Sequence, residues 1–250
     1  MTKQKHFFLF RGLIREAMHW ADFPDTLQEQ FPGCSVTTID IPGAGAFYQQ
    51  SSPLSVKKMV EKMRQIYLEK FQQGQEPILV AISLGGMIAA QWMKDHPADF
   101  EKAILINTSY GGISPVFKRL KPRAFTYLLK VPLLKGRDKE AHILKLVTNH
   151  AHIFDKTLHL WDEIQKQRPV SLKNTFRQLV AGGTFRIGNF KPTIPVLILA
   201  STNDRMVSVD CSRSISKSWN APIYEHPTAG HDLTGDDPEW VARKVIEFSK

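Results

Sequence analysis

The chain has 250 residues, of which 42% are hydrophobic, 23% charged and 10% aromatic, proportions that exclude a disordered or fibrous protein. It is long enough to close a core without disulfides or metals, as one domain or one domain carrying an insertion. Its two cysteines, Cys34 and Cys211, exclude a disulfide framework, and with no Cys or His at ligand spacing they are expected as reduced thiols. The net charge is +9, and the surplus is local: residues 107–191 hold 16 Lys and Arg against 5 Asp and Glu, the rest of the chain 17 against 19. No apolar run reaches the roughly 18–20 residues of a membrane span. Residues 1–5 have the basic character of a signal-peptide start, but the apolar run 6–10 is too short to continue one, so a cytoplasmic protein is expected.

In chain order, the continuous apolar run 6–10 predicts a strand buried on both faces, ended by Arg11-Gly12. Residues 34–41 predict a second strand, closed by Pro42-Gly43-Ala44-Gly45. A helix follows over 55–71, with Val56, Met59, Val60, Met63, Ile66, Tyr67 and Phe71 on one stripe and Ser55 as its N-cap. The third strand, 77–82, runs directly into Ser83-Leu84-Gly85-Gly86, and a helix over 84–94 stops at His96-Pro97. After a fourth strand at 103–106 comes an interval of roughly 85 residues, far longer than a crossover needs. It is patterned as helices over 117–129, 138–146, 150–166 and 172–181. A strand at 195–200, a helix at 208–219, a weak strand at 221–225 and a helix at 238–248 complete the chain. Strands alternating with helices predict an α/β fold, a mostly parallel sheet with helices on both faces. The core is assigned to 1–106 and 192–250, and the basic segment 107–191 to an inserted helical lid over the strand ends, where open α/β folds bind ligands.

The junction Ala81-Ile82-Ser83-Leu84-Gly85 carries the chemistry. A serine between a buried strand and a helix projects from a sharp, strained turn, which demands small neighbours such as Ala81 and Gly85, while Gly86 lets the helix pack closely. Serine is a weak nucleophile until a base accepts its proton. Asp204, in the loop after the strand at 195–200, and His231, between the weak strand and the final helix, supply an acid and a base in the order expected for such an elbow. His226 and the adjacent Asp232 are rivals for these roles; Asp204 is preferred because neighbouring side chains rarely reach one another in orienting geometry.

These motifs resemble the α/β-hydrolase family over essentially the whole chain, and Asp40-Ile41-Pro42-Gly43-Ala44-Gly45 resembles the family's D-x-P-G-x-G loop. The resemblance implies an α/β-hydrolase fold of about six strands, shorter than the full family sheet. It also implies an oxyanion hole built from the backbone N–H groups of Leu13 and Leu84, next to Gly12. Where the family usually carries His-Gly at the end of the first strand, this chain carries Arg11-Gly12, a departure that bears on local hydrogen bonding. In size and in its Ser-Leu-Gly-Gly elbow the chain is also similar to the pimeloyl carrier-protein methyl-ester esterases.

The expected activity is a cofactor-free serine hydrolysis of a carboxylic ester or thioester whose acyl or alkyl part is mainly apolar. The alternative is a non-catalytic scaffold that binds a ligand or an acidic partner through the basic insert. Lys118, Arg119, Lys121, Arg123, Lys130, Lys135, Arg137 and Lys139, interleaved with apolar residues, fit a solvated outer face, an anionic membrane surface or an acidic carrier protein. His142, His150, His152 and His159 lack metal-ligand spacing, so no metal is expected. Gly43-x-Gly45 lacks the third glycine of a dinucleotide fingerprint, and the basic charge comes with no nucleic-acid-binding motif, so neither nucleotide cofactor nor nucleic acid is expected.

Overall fold

The computed structural model describes residues 3–250; Met1 and Thr2, part of the basic start, lie outside the described residues. Six strands, β1 (Gln4–Phe10), β2 (Ser35–Thr38), β3 (Gln75–Ile82), β4 (Lys102–Ile106), β5 (Val196–Ser201) and β6 (Ile223–His226), form one sheet. Their order is β2-β1-β3-β4-β5-β6, and every pair is parallel. The pleat sends alternate side chains to opposite faces. Phe8, Phe10, Leu79, Ala81, Leu105 and Ile198 pack under α2 (Val56–Lys70), α3 (Leu84–Asp95) and α9 (Val209–Trp219). Phe7, Leu9, Val80, Ile82, Ile104 and Leu199 pack under α1 (Phe23–Gln30) and α11 (Pro238–Ser249). Continuous apolar strands are what a parallel sheet covered on both faces requires.

The strand order reverses between β1 and β3, the crevice where open α/β sheets hold ligands at the carboxyl ends of the strands. Between β4 and β5 stands the helical insert: α4 (Val116–Arg119), α5 (Pro122–Leu128), α6 (Gly136–Val147), α7 (Phe154–Gln167) and α8 (Leu172–Thr184). It has its own apolar cluster, centred on Ile143, Leu144, Leu158 and Trp161.

Three departures from the sequence reading have local causes. The single helix expected over 117–129 is two, because Lys121 precedes Pro122 and is driven into extended backbone (φ −59°, ψ 140°). The helix expected from 150 begins only at Phe154, after a tight turn over Ala151–Ile153. Helix α1, which the pattern did not reveal, is short and carries Pro24 in its first turn, a position helices tolerate. A four-residue helix, α10 (Leu233–Asp236), joins β6 to α11. No helix among the described residues is long and apolar enough to cross a membrane.

Candidate active site

Ser83 sits between β3 and α3 with φ 57° and ψ −118°, a backbone conformation that L-residues rarely adopt and that is held only where the surroundings over-determine it. Those surroundings are explicit. The Ser83 N–H donates to the Ile106 carbonyl (2.9 Å), and the Ser83 carbonyl accepts from Thr108 Oγ1 (2.8 Å). A Cβ on Gly85 would lie 2.4 Å from the Phe10 carbonyl oxygen, and one on Gly86 2.6 Å from Thr108 Cβ. Ala81 is fully buried behind the turn. Gly12 brings the loop after β1 against the serine, since a Cβ there would stand 3.0 Å from Ser83 Cβ. Leu13 follows in that loop, and Leu84 opens α3, so its N–H has no acceptor within the helix.

Ser83, His231 and Asp204 lie in one hydrogen-bonded chain. His231 Nε2 is 3.0 Å from Ser83 Oγ, and His231 Nδ1 is 2.6 Å from Asp204 Oδ2. The other Asp204 oxygen accepts the backbone N–H groups of Met206 (2.7 Å) and Val207 (2.9 Å), which fixes the carboxylate's orientation. The loop carrying His231 is built as carefully. Gly230 is required because a Cβ there would approach the Val147 carbonyl oxygen at 2.4 Å, and its N–H donates to Asp236 Oδ2 (2.6 Å). Asn107, at the end of β4 with φ 46°, donates to the His231 carbonyl (2.9 Å) and accepts from the Ser201 N–H (2.8 Å). Burial opposes the imidazolium, but the Asp204 charge and hydrogen bond outweigh it and hold the His231 pKa above its ordinary value.

The rivals have other work. His226 ends β6, where Nδ1 accepts the Ala229 N–H (3.0 Å) and Nε2 meets Asp237 (3.1 Å). Asp232 turns away from the His231 ring to Arg11, whose two terminal nitrogens reach both carboxylate oxygens at 3.0 and 2.7 Å. Arg11 also lies 4.9 Å over the Trp20 ring. Burial alone would raise the Asp232 carboxyl, yet Arg11 keeps its pKa below the usual range. The residue that departs from the family pattern is therefore paired with the side chain next to the histidine. Sequence reasoning missed this partner, and missed Asn107, because each contact joins segments remote in the chain. The one visible signal was Arg11 itself, a cation directly after a buried apolar strand, which calls for a buried anion without saying which.

Asp40 of the D-x-P-G-x-G loop accepts the Ala17 N–H (2.7 Å) and the Ala46 N–H (2.9 Å), tying that loop to the one after β1. In the insert, His142 donates to the Tyr127 carbonyl (3.0 Å) and His150 to the Asp236 carbonyl (2.8 Å). Among the described residues no group of three or more His, Cys, Asp or Glu side chains is arranged to hold a metal.

A cavity of about 390 Å³ opens at Ser83 and His231 and is roofed by the insert, with Leu120, Leu128, Ile143, Leu146 and Trp161 among its walls. A cavity of this size with apolar walls and a few convergent polar groups has the character of a small-molecule site.

The sequence profile of the alpha/beta hydrolase family matches residues 9–244. The chain belongs to that family. No curated protein gives a match. Solved structures are similar over nearly the full length. An esterase from Exiguobacterium antarcticum has 13% identity and a TM-score of 0.82, covering 99% of this chain and 92% of that one. An esterase from a Rhodococcus species has 14% identity and a TM-score of 0.76, covering 98% and 90%. A lipase-esterase related protein from Clostridium acetobutylicum has 14% identity and a TM-score of 0.74, covering 98% and 94%. At such identities the likeness is one of fold.

Proposed function

We propose that this member of the alpha/beta hydrolase family is a serine hydrolase that cleaves a carboxylic ester or thioester of a mainly apolar small molecule through an acyl-enzyme. The observation that carries the reading is the chain Ser83–His231–Asp204, closed at 3.0 and 2.6 Å at the mouth of an apolar cavity. Ser83 Oγ attacks the carbonyl carbon while His231 Nε2 takes its proton, and Asp204 stabilises the imidazolium that forms. The backbone N–H groups of Leu13 and Leu84 serve as the oxyanion donors. Collapse of the tetrahedral intermediate expels the alcohol or thiol, which receives the proton from His231. Water, deprotonated by His231, then attacks the acyl carbon and releases the acid and the free Ser83 hydroxyl. The solved structures of esterases with this fold support the reaction class, and the insert serves as the lid that excludes water.

A fluorophosphonate probe labels the native protein at Ser83, and Ser83→Ala abolishes both labelling and hydrolysis of p-nitrophenyl esters of graded chain length. A native protein that resists the probe and cleaves none of the esters would be a non-catalytic scaffold instead.

A further inference from the structure

The cavity is apolar except along one wall, and that wall carries more positive charge than the protein neutralises. Arg11, Arg15 and Lys139 all line it. Two buried carboxylates answer them: Asp232, held by both terminal nitrogens of Arg11, and Glu140, shared by the other two cations. Arg15 Nη1 donates to Glu140 Oε2 at 3.0 Å, and Lys139 Nζ stands 3.5 Å from Glu140 Oε1. Arg15 Nη2 finds no acceptor among the described residues, although the side chain is only 9% exposed. Its guanidinium is stacked 3.8 Å over the Trp161 ring, so the fork is fixed in direction.

The neighbouring histidine sharpens the deficit. The Glu16 N–H donates to His19 Nδ1 (3.1 Å), which places the proton of the neutral ring on Nε2, only 3.5 Å from Arg15 Nη1. Burial and the charges of Arg15 and Arg11 keep His19 neutral. A donor thus faces a donor beside a third, unused donor. Buried donors left unpaired are costly, and a folded protein rarely retains them without a use. Three cations against two carboxylates leave room for one more negative charge.

We infer that this wall is a carboxylate-binding subsite, in which Arg15 and Lys139 hold the anionic end of a substrate whose apolar chain fills the cavity and whose ester bond lies at Ser83. The inference rests on the hydrolase reading for the ester, but not for the binding of the anion. The planar Arg15 fork suits a planar carboxylate, and Lys139 adds a point charge. The substrate class is therefore an ester or thioester carrying a terminal carboxylate, such as a half-ester of an aliphatic dicarboxylic acid.

The test has a binding arm and a catalytic arm. Calorimetry on Ser83→Ala compares the monoamides of adipic, suberic and sebacic acids with the uncharged alkanamides of equal length. At the chain length that fits, the carboxylate-bearing member binds at least tenfold more tightly, and Arg15→Gln and Lys139→Gln each reduce that preference. In the wild-type enzyme the mono-p-nitrophenyl dicarboxylates show the same preference over p-nitrophenyl alkanoates, in KM rather than kcat. No preference for charge at any length in the wild-type pair, or one that neither variant reduces, overturns the subsite. Should Arg15→Gln not fold, the wild-type comparison and Lys139→Gln decide. Tighter binding of the anion without cleavage of any ester would sink the hydrolase reading and leave the subsite standing. Cleavage of neutral esters without a charge preference would do the reverse.

Discussion

His231 is enclosed, yet the Asp204 carboxylate at 2.6 Å lets it hold a proton more readily than a free histidine does. The imidazole must be neutral to accept the Ser83 proton, so activity falls as pH drops through that raised pKa. The acid limb of kcat/KM is therefore expected above 6.5, and Asp204→Asn lowers the rate by about 10⁴ and moves the limb down. A pH–rate profile measures both, and a wild-type limb at or below 6.5 would contradict the assignment. Stability runs the other way. A group whose folded pKa is raised contributes stability that is present below its unfolded pKa and lost as pH rises through the folded one. Asp232, whose pKa is lowered, contributes above its unfolded value and loses that contribution as pH falls through the folded one.

At this same scale the sequence was legible where chemistry constrains the local neighbours. A serine held at φ 57° needs Gly85, because a side chain there would strike the Phe10 carbonyl, and that requirement is written next to it. Asn107, Arg15 and Glu140 were illegible for the opposite reason: a lone polar residue reads as surface until its partner, more than 90 residues away in each case, is seen beside it.

Among the elements, the end of β1 and the start of α10 are joined by the buried pair Arg11–Asp232, closed also by Thr234 Oγ1 at 3.1 Å from Arg11. Removing one partner strands the other charge. Asp232→Ala is expected to destabilise the protein by about 3–5 kcal/mol, and adding Arg11→Met to it to recover part of the loss, because an absent pair is cheaper than a broken one. Urea denaturation of the two single variants and the double variant gives the coupling directly; strict additivity would mean that the pair contributes nothing as a pair. The buried strands β3, β4 and β5 were the most legible elements, since continuous apolar runs are what a covered parallel sheet requires. By contrast β2 (SVTT) and β6 (IYEH), at the two edges, carry no such run. The helices of the insert were less so: their pattern shows a stripe, but the break at Leu120–Lys121 comes from one proline's effect on the residue before it.

Across the whole molecule, the insert is fastened to the core by apolar packing, with Tyr110, Ala181, Phe185 and Ile187 inside the cluster that covers one face of the sheet, and by polar contacts as well. Asn174 of α8 is buried. Its Oδ1 accepts the Ser52 N–H (3.0 Å), and its Nδ2 donates to the Gly43 (3.2 Å) and Gln50 (2.8 Å) carbonyls. Asn149 donates to the Thr228 carbonyl (3.0 Å). Insert and core are accordingly expected to unfold together. Asn174→Ala should lower the denaturation midpoint, with a loss of about 2–3 kcal/mol, and should do so equally by helical circular dichroism and by tryptophan fluorescence. Two separated transitions in the wild-type protein would show that the fastening is not cooperative.

A further fastening lies beside the loop that carries Asp204. The Lys121 N–H donates to the Met206 carbonyl, the Ser208 N–H to the Lys118 carbonyl (both 2.9 Å), and Lys121 Nζ to the Asp204 carbonyl (2.5 Å). The first limb of the roof is thus stitched to the segment that holds the aspartate, while Pro122 begins a new helix immediately beyond the stitches. A lid hinged at that corner would leave the Ser83–His231–Asp204 chain in register as it opened, so that admission and readiness for attack would be separate events.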